Sequence, residues 1–76
     1  MIAGKGDIKL LSKKAVELTE TKDFPQALRI FNKVLELDSK YAAAYNNRGI
    51  IYSKQKEFQK AIDDYNKTIE LDLKLH

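Results

Sequence analysis

The sequence predicts an all-α domain built from two stacked antiparallel helix pairs. Three observations support this: a repeat of fixed period, apolar residues at helical spacing inside each repeat, and breaks between the helical stretches. The chain has 76 residues, with only three glycines and one proline to interrupt helices. A chain this short buries only about 60% of the surface that its unfolded form exposes, so partner surfaces also matter for its stability.

The repeat has a period of 34 residues. At that offset, residues 22–40 align with residues 56–74. Identical or closely similar residues then coincide in the pairs Phe24/Phe58, Ala27/Ala61, Phe31/Tyr65, Asn32/Asn66, Lys33/Lys67, Glu36/Glu70, Leu37/Leu71, Asp38/Asp72 and Lys40/Lys74. A fixed period in this range is the signature of stacked structural repeats.

Apolar stripes predict two helices in each repeat. In the first repeat they predict helices over residues 8–21 (Ile8, Leu11, Ala15, Leu18) and 24–38 (Phe24, Ala27, Leu28, Phe31, Val34, Leu35). In the second they predict helices over residues 41–55 (Tyr45, Gly49, Tyr52) and 58–73 (Phe58, Ala61, Ile62, Tyr65, Ile69). Residues 1–7 are predicted to form an N-terminal tail.

The residues at the helix breaks predict where helices start and end, and one glycine predicts where two helices pack closely. Asp23 is the predicted N-cap of the second helix, and Pro25 lies in its first turn, where a missing N–H costs nothing. The break at residues 55–57 is weaker, because no glycine eases the turn. Gly49 lies inside the third helix, where glycine costs about 1 kcal/mol relative to alanine. We therefore expect close packing against the fourth helix near Ala61, with no room for a Cβ at Gly49.

These residues resemble the tetratricopeptide repeat, a helix pair of 34 residues. The second repeat carries the pattern most fully, at Tyr45, Gly49, Tyr52, Phe58, Ala61, Tyr65 and the ending Leu71-Asp72. The first repeat keeps mainly its second-helix positions, Phe24, Ala27, Phe31 and Val34. The resemblance implies a right-handed superhelical α-solenoid with repeats over residues 8–41 and 42–75. It also implies a non-enzymatic scaffold for protein–protein interaction.

The connecting stretch LELDSKYAAAYNNRG, residues 35–49, decides how the helices are arranged. The family pattern has a proline directly after its Leu-Asp pair, and here Ser39 and Leu73 hold those places. One interpretation is a turn at residues 38–41, with Asp38 or Ser39 capping the next helix. The alternative is one helix running through residues 38–41, so that two copies exchange helices in a domain-swapped dimer.

The resemblance places the first helix of each repeat along a concave groove. The predicted lining residues are Lys9, Ser12, Lys13, Val16, Asn46, Asn47, Ile50 and Lys54. Their lysines, amides and aliphatic groups predict a peptide or protein partner, with a preference for an acidic segment or a terminal carboxylate. Some family members clamp such a carboxylate with lysine and asparagine side chains; Asn47 matches that clamp, whereas Ser12 and Val16 do not.

A second candidate surface lies on the last helix. It is predicted to comprise Ile62, Ile69, Leu71, Leu73 and Leu75, on the side that a following repeat would cover. Exposed apolar patches usually mark contacts. The alternative function is therefore self-association as a homodimer.

Composition argues against other classes of function. The net charge is +3, but basic and acidic residues are interleaved, so we expect no nucleic-acid partner. No apolar run approaches the roughly 18 residues of a membrane span, and we expect a cytoplasmic protein. With no cysteine and one terminal histidine, we expect no metal or cofactor. Asp63 and Asp64 project about 100° apart on a helix, so they do not converge as a catalytic pair, and we expect no enzyme activity.

Overall fold

The computed structural model describes residues 5–74, which form four helices. They are α1 (Lys5–Glu20), α2 (Phe24–Leu37), α3 (Ala42–Lys54) and α4 (Phe58–Lys74). Helix α1 packs against α2, α3 packs against α4, and α2 and α3 join the two pairs. The predicted all-α architecture of two helix pairs is confirmed, and no strand occurs within residues 5–74.

Helix boundaries agree with the prediction to within one residue, except at the start of α1. This helix begins at Lys5, so residues 5–7 of the predicted tail are helical, and its residues 1–4 lie outside the described residues. Asp7 lies in the first turn of α1, where a carboxylate favours the helix start by offsetting the positive end of the helix dipole. The repeat limits 8–41 and 42–75 stay a prediction.

The core forms where α1, α2 and α3 meet. Its buried apolar residues are Ile8, Ala15, Ala27, Phe31, Val34, Ala44 and Ile51. Phe31, Val34 and Ile51 are the largest side chains that are fully buried. Because all three helices contribute, neither helix pair encloses this core alone.

Gly49 lies where α3 packs tightly against α4. A Cβ on Gly49 would lie 2.9 Å from Cε1 of Tyr65 and 3.3 Å from Cβ of Asp64. Real Cβ atoms essentially never approach as closely as the first distance. The predicted lack of room is therefore confirmed, although the nearest side chains are Tyr65 and Asp64 rather than Ala61.

The two turns inside the helix pairs share one geometry. Lys22 and Lys56, which are 34 residues apart, both have positive φ, at 66° and 64°. Around Lys56, the amide of Glu57 donates a hydrogen bond to the carbonyl oxygen of Tyr52 at 2.8 Å. The amide of Lys56 donates one to the carbonyl oxygen of Ser53 at 3.0 Å. These bonds close the end of α3 around a left-handed residue, the place that glycine usually takes. At the start of α2, Asp23 is the N-cap by position, but its side chain makes no capping hydrogen bond.

We expect Lys56→Gly to raise the free energy of unfolding by about 0.5–1 kcal/mol, because glycine adopts the left-handed conformation without a steric penalty. Urea denaturation followed by helicity measures the change. Lys54→Gly is the matched control: Lys54 is the last residue of α3 and does not have a positive φ, so the same replacement there should destabilise. A loss of stability in Lys56→Gly would contradict the assigned turn geometry.

The chain turns back between α2 and α3 without a proline. Asp38 ends α2 in an extended conformation, with φ −148° and ψ 95°. Its Oδ1 accepts a hydrogen bond from the amide of Lys40 at 3.0 Å, and its carbonyl accepts one from the amide of Tyr41 at 3.2 Å. The hydroxyl of Tyr45 donates to the carbonyl of Ser39 at 2.9 Å.

The turn at residues 38–41, the first of the two interpretations, is therefore confirmed, and the alternative of one helix running through it is wrong. The capping detail also differs, because Tyr41 holds the N-cap position of α3 and makes no side-chain cap. The Asp38 carboxylate instead stabilises the turn itself. Both helix pairs consequently form within one chain.

Candidate functional site

Helices α1 and α3 contact each other and enclose a cleft of about 190 Å³. It is lined by Val16, Thr19 and Glu20 from α1 and by Asn47 and Ile50 from α3. Three of the predicted groove residues, Val16, Asn47 and Ile50, therefore meet at one place. The cleft combines two aliphatic side chains with an amide that both donates and accepts hydrogen bonds.

A larger cleft of about 450 Å³ adjoins the first one. The two share Thr19 and Glu20, and the larger cleft adds Lys22, Phe24 and Lys54. Lys54 was predicted to line the groove, whereas Lys22 and Phe24 were not. We call the two clefts together the α1–α3 groove; its lining residues are Val16, Thr19, Glu20, Lys22, Phe24, Asn47, Ile50 and Lys54.

The remaining predicted groove residues lie elsewhere. Ser12 is only 7% exposed, because it lies near Ile8 and Ala15 on α1; it does not line either cleft, and its role in the groove stays a prediction. Lys9 lines a separate cleft of about 420 Å³ with Ile8, Asp38 and Tyr41. The side chains of Lys13 and Asn46 are exposed, and their role in ligand binding stays a prediction.

Glu20 changes the electrostatics expected of the groove. The predicted lining carried lysines and no acid, but Glu20 faces both clefts. The period could have revealed it, because Glu20 lies 34 residues before Lys54. The groove therefore has an acidic group near its middle and two lysines, Lys22 and Lys54, at one end.

A polar network centred on Arg48 holds α3 in place. Its Nε and Nη2 donate to the two carboxylate oxygens of Asp64 at 2.9 and 2.7 Å. Its Nη1 donates to Oδ1 of Asn32 at 2.8 Å. One guanidinium thus joins α3 to α2 and to α4. A two-pronged bond of this kind to a carboxylate fixes orientation as well as distance.

The surroundings of Arg48 reinforce that network. Its guanidinium lies 5.5 Å from the ring centroid of Tyr45 and 5.8 Å from that of Tyr52, within range for cation–π attraction. The hydrogen bond to Asp64 raises the pKa of Arg48 above its ordinary value, against the effect of burial. Since Asn47 is the neighbouring residue on α3, the network also fixes the helix that carries this groove residue.

The sequence prediction missed Arg48. The available signal was a pair of tyrosines, Tyr45 and Tyr52, placed three residues before and four residues after it on one helix. Asp63 and Asp64 do point apart as predicted, since Asp64 is buried and Asp63 is exposed.

The outer side of α4 carries the second candidate surface. Phe58, Ile62, Ile69 and Leu73 are 59%, 50%, 56% and 70% exposed, and we call these four residues the α4 stripe. Leu71 was assigned to this surface, but it is only 8% exposed, because two residues of helix turn it away from Ile69. Leu75 lies outside the described residues. Phe58 was predicted to pack inside the repeat and instead extends the exposed surface.

No helix within residues 5–74 is both long enough and apolar enough to cross a membrane. This finding agrees with the short, amphipathic character of the four helices.

Helix pairs that stack with a fixed period define a helical-repeat protein. A family model described as tetratricopeptide repeat matches residues 42–74, and one described as TPR repeat matches residues 15–56. The second match covers more than half of the chain, and the chain belongs to the tetratricopeptide-repeat family. No curated protein matched the sequence. Domains of this family are generally protein-interaction modules, and the family is typically non-enzymatic.

Proposed function

We propose that the chain binds a peptide segment of a protein partner in the α1–α3 groove. The observation that carries this proposal is that Val16, Asn47 and Ile50, from two different helices, line one cleft. An aliphatic side chain of the ligand fits between Val16 and Ile50, while Asn47 pairs with the ligand backbone. The adjoining cleft of about 450 Å³ gives room for further residues of an extended peptide.

The charges in the groove define the preferred ligand more closely. Lys22 and Lys54 favour an acidic side chain or a terminal carboxylate at their end of the groove. Glu20 disfavours a second acid beside the central cleft. The expected ligand therefore has an apolar residue followed by an acidic end, and it is not acidic throughout.

The proposed role is noncovalent and needs no cofactor. The interleaved charges of the chain support a protein partner rather than nucleic acid. Its four short helices give no support for a membrane partner, and we assign the module to the cytoplasm.

A peptide-display library of random twelve-residue segments, selected on the full chain, tests the proposal. Enriched peptides are then measured by fluorescence anisotropy against two variants of neighbouring residues. We expect Asn47→Ala to weaken binding about tenfold, the effect of losing roughly 1–1.5 kcal/mol of hydrogen bonding. Asn46→Ala is the matched control and should change affinity by less than about twofold, because Asn46 does not line the two clefts.

Lys54→Glu tests the charge preference independently. The variant should disfavour peptides with an acidic end and select basic ends in their place. If enriched peptides bound Asn47→Ala and the original chain equally well, the groove would not be their site.

A second candidate function is self-association through the α4 stripe. It is supported by four large apolar side chains on one helix that are each at least half exposed. Solution mass by light scattering tests it: Ile69→Glu should lower the mass, whereas Asn47→Ala should not. An unchanged mass in Ile69→Glu would show that the α4 stripe does not hold another copy.

A further inference from the structure

The α4 stripe is exposed, whereas the equivalent apolar residues of the first repeat are partly buried against a neighbouring helix. This difference indicates that the stripe is suited to contact a helix. Phe24, Leu28 and Leu35 lie 34 residues before three members of the stripe. They are partly buried and pack against the core to which α3 contributes. Within the described residues, no helix lies on α4 as α3 lies on α2. The α4 stripe thus has the residues of a helix-packing face, but the helix that would pack on it is absent from residues 5–74.

A second copy offers two ways to supply that helix. In a head-to-tail arrangement, α1 of one copy would take the place that α3 has on α2. Helix α3 contributes Ala44 and Ile51 to the shared core, both fully buried, and the residues 34 positions earlier are Leu10 and Glu17. Glu17 would then occupy a fully buried position, where a carboxylate without a partner is strongly disfavoured. The charge on α1 therefore argues against this arrangement.

The other arrangement pairs α4 with α4. The four stripe residues are spaced by four, seven and four residues, a pattern that reads the same in both directions. Its centre lies between residues 65 and 66. In an antiparallel pair, Phe58 therefore lies opposite the partner's Leu73, and Ile62 lies opposite the partner's Ile69. The stripe is complementary to itself in this one orientation.

We propose that two copies form a closed two-fold dimer through antiparallel contact of their α4 stripes. The inference rests on the self-association proposed above and specifies its geometry. Because the same surface serves both copies, the assembly closes at two and does not grow into filaments. Eight apolar side chains, each at least half exposed in the single chain, bury on the order of 1,000 Å² together with their neighbours. An interface of that size gives a reversible dimer that depends on concentration.

The residues beside the stripe predict how salt affects the dimer. Gln59 and Asn66, which are uncharged, lie next to it on the exposed side of α4. Asp63 and Glu70 lie further out, where Gln59 donates a hydrogen bond to Asp63 and Nζ of Lys67 lies 3.8 Å from a carboxylate oxygen of Glu70. This edge therefore carries both signs of charge, and in the antiparallel pair we expect ionic strength to change dimerisation little. A head-to-tail contact would bring the lysines of α1 to the carboxylates of α4, and salt would weaken it.

Sedimentation equilibrium of the full chain, over a wide dilution series at low and high salt, tests the geometry. We expect monomer and dimer only, with an association constant that changes little between low and high salt. Ile69→Glu should weaken dimerisation at least a hundredfold while helicity stays unchanged, because Ile69 is exposed in the single chain. Leu10→Glu is the matched control on the exposed side of α1 and should leave association unchanged.

A cross-linking experiment tests the orientation of the two helices. The chain has no cysteine, so one can be introduced at a chosen position. Residue 66 lies beside the two-fold axis, so Asn66→Cys should give a covalent dimer with a short bismaleimide. Lys13→Cys, on α1, should not.

The alternatives are distinguishable. Species larger than two that disappear with Leu10→Glu would overturn the two-fold geometry and leave self-association in place. A monomer at every concentration would overturn both, while peptide binding in the α1–α3 groove would be unaffected.

Discussion

Arg48→Met is expected to lower the free energy of unfolding by about 3 kcal/mol, near the lower end of the range for breaking a buried ion pair. The side chain of Asp64 is 6% exposed, so without Arg48 its carboxylate stays buried with no cation beside it. The side chain of Arg48 is 21% exposed, which keeps the effect from the upper end of that range. Urea denaturation followed by circular dichroism measures the loss.

A double replacement separates the loss of the pair from the loss of packing. Arg48→Met combined with Asp64→Leu should recover most of the stability, because no buried charge is then left without a partner. Arg48→Lys should fall between the original chain and Arg48→Met, since a lysine cannot form the two-pronged bond to Asp64. If Arg48→Met cost less than about 1 kcal/mol, the network would not hold α3 in place.

Phe31→Ala is expected to remove about 3–5 kcal/mol, the cost of truncating a fully buried aromatic side chain. Domains have stabilities of roughly 0.05–0.15 kcal/mol per residue, or about 4–11 kcal/mol for a chain of 76 residues. The loss therefore removes a large share of the total, and the variant should unfold at a much lower urea concentration than the original chain. Loss of helicity, with a lower urea midpoint, is the measurement.

Phe58→Ala is the matched control on the other repeat. Phe58 is 59% exposed, so its truncation in the single chain should cost less than about 1 kcal/mol. Both variants must be compared at a concentration where the chain is monomeric, because dimerisation would bury Phe58. Equal losses in the two variants would contradict the assignment of Phe31 to the core and Phe58 to the surface.

The helices could be predicted from the sequence because the information for them is local. Each apolar stripe lies on one face of one helix, and the period gives two independent observations of the same pattern. Asp23 and Pro25 mark the start of α2 for a similar local reason. The start of α1 was predicted too late, since residues 5–7 carry no apolar stripe and only Asp7 favours a helix there.

The groove could be predicted in part. Val16, Asn47 and Ile50 were found because their helices present one face each to the same cleft. Ser12 does not line the two clefts, since its side chain is buried on α1. Glu20 was missed although the period relates it to Lys54.

The features that depend on contacts between distant residues could not be predicted from local patterns. Arg48 bonds to Asn32 and Asp64, each 16 residues away, and no spacing rule within one helix links them. The turn at residues 38–41 was left open for a different reason: the hydroxyl of Tyr45 reaches back only six residues to Ser39, but neither a proline nor a glycine marks the stretch. Both a turn and a continuous helix were compatible with the sequence of that stretch.

The most direct test of the structure is helicity measured at each step of a dilution series in which the mass of the chain is also determined. The observed turn at residues 38–41 lets both helix pairs form within one copy, so we predict that the chain keeps its helicity when the mass reaches that of a monomer. A parallel loss of helicity and mass would contradict it, because the fold would then require helices exchanged between copies.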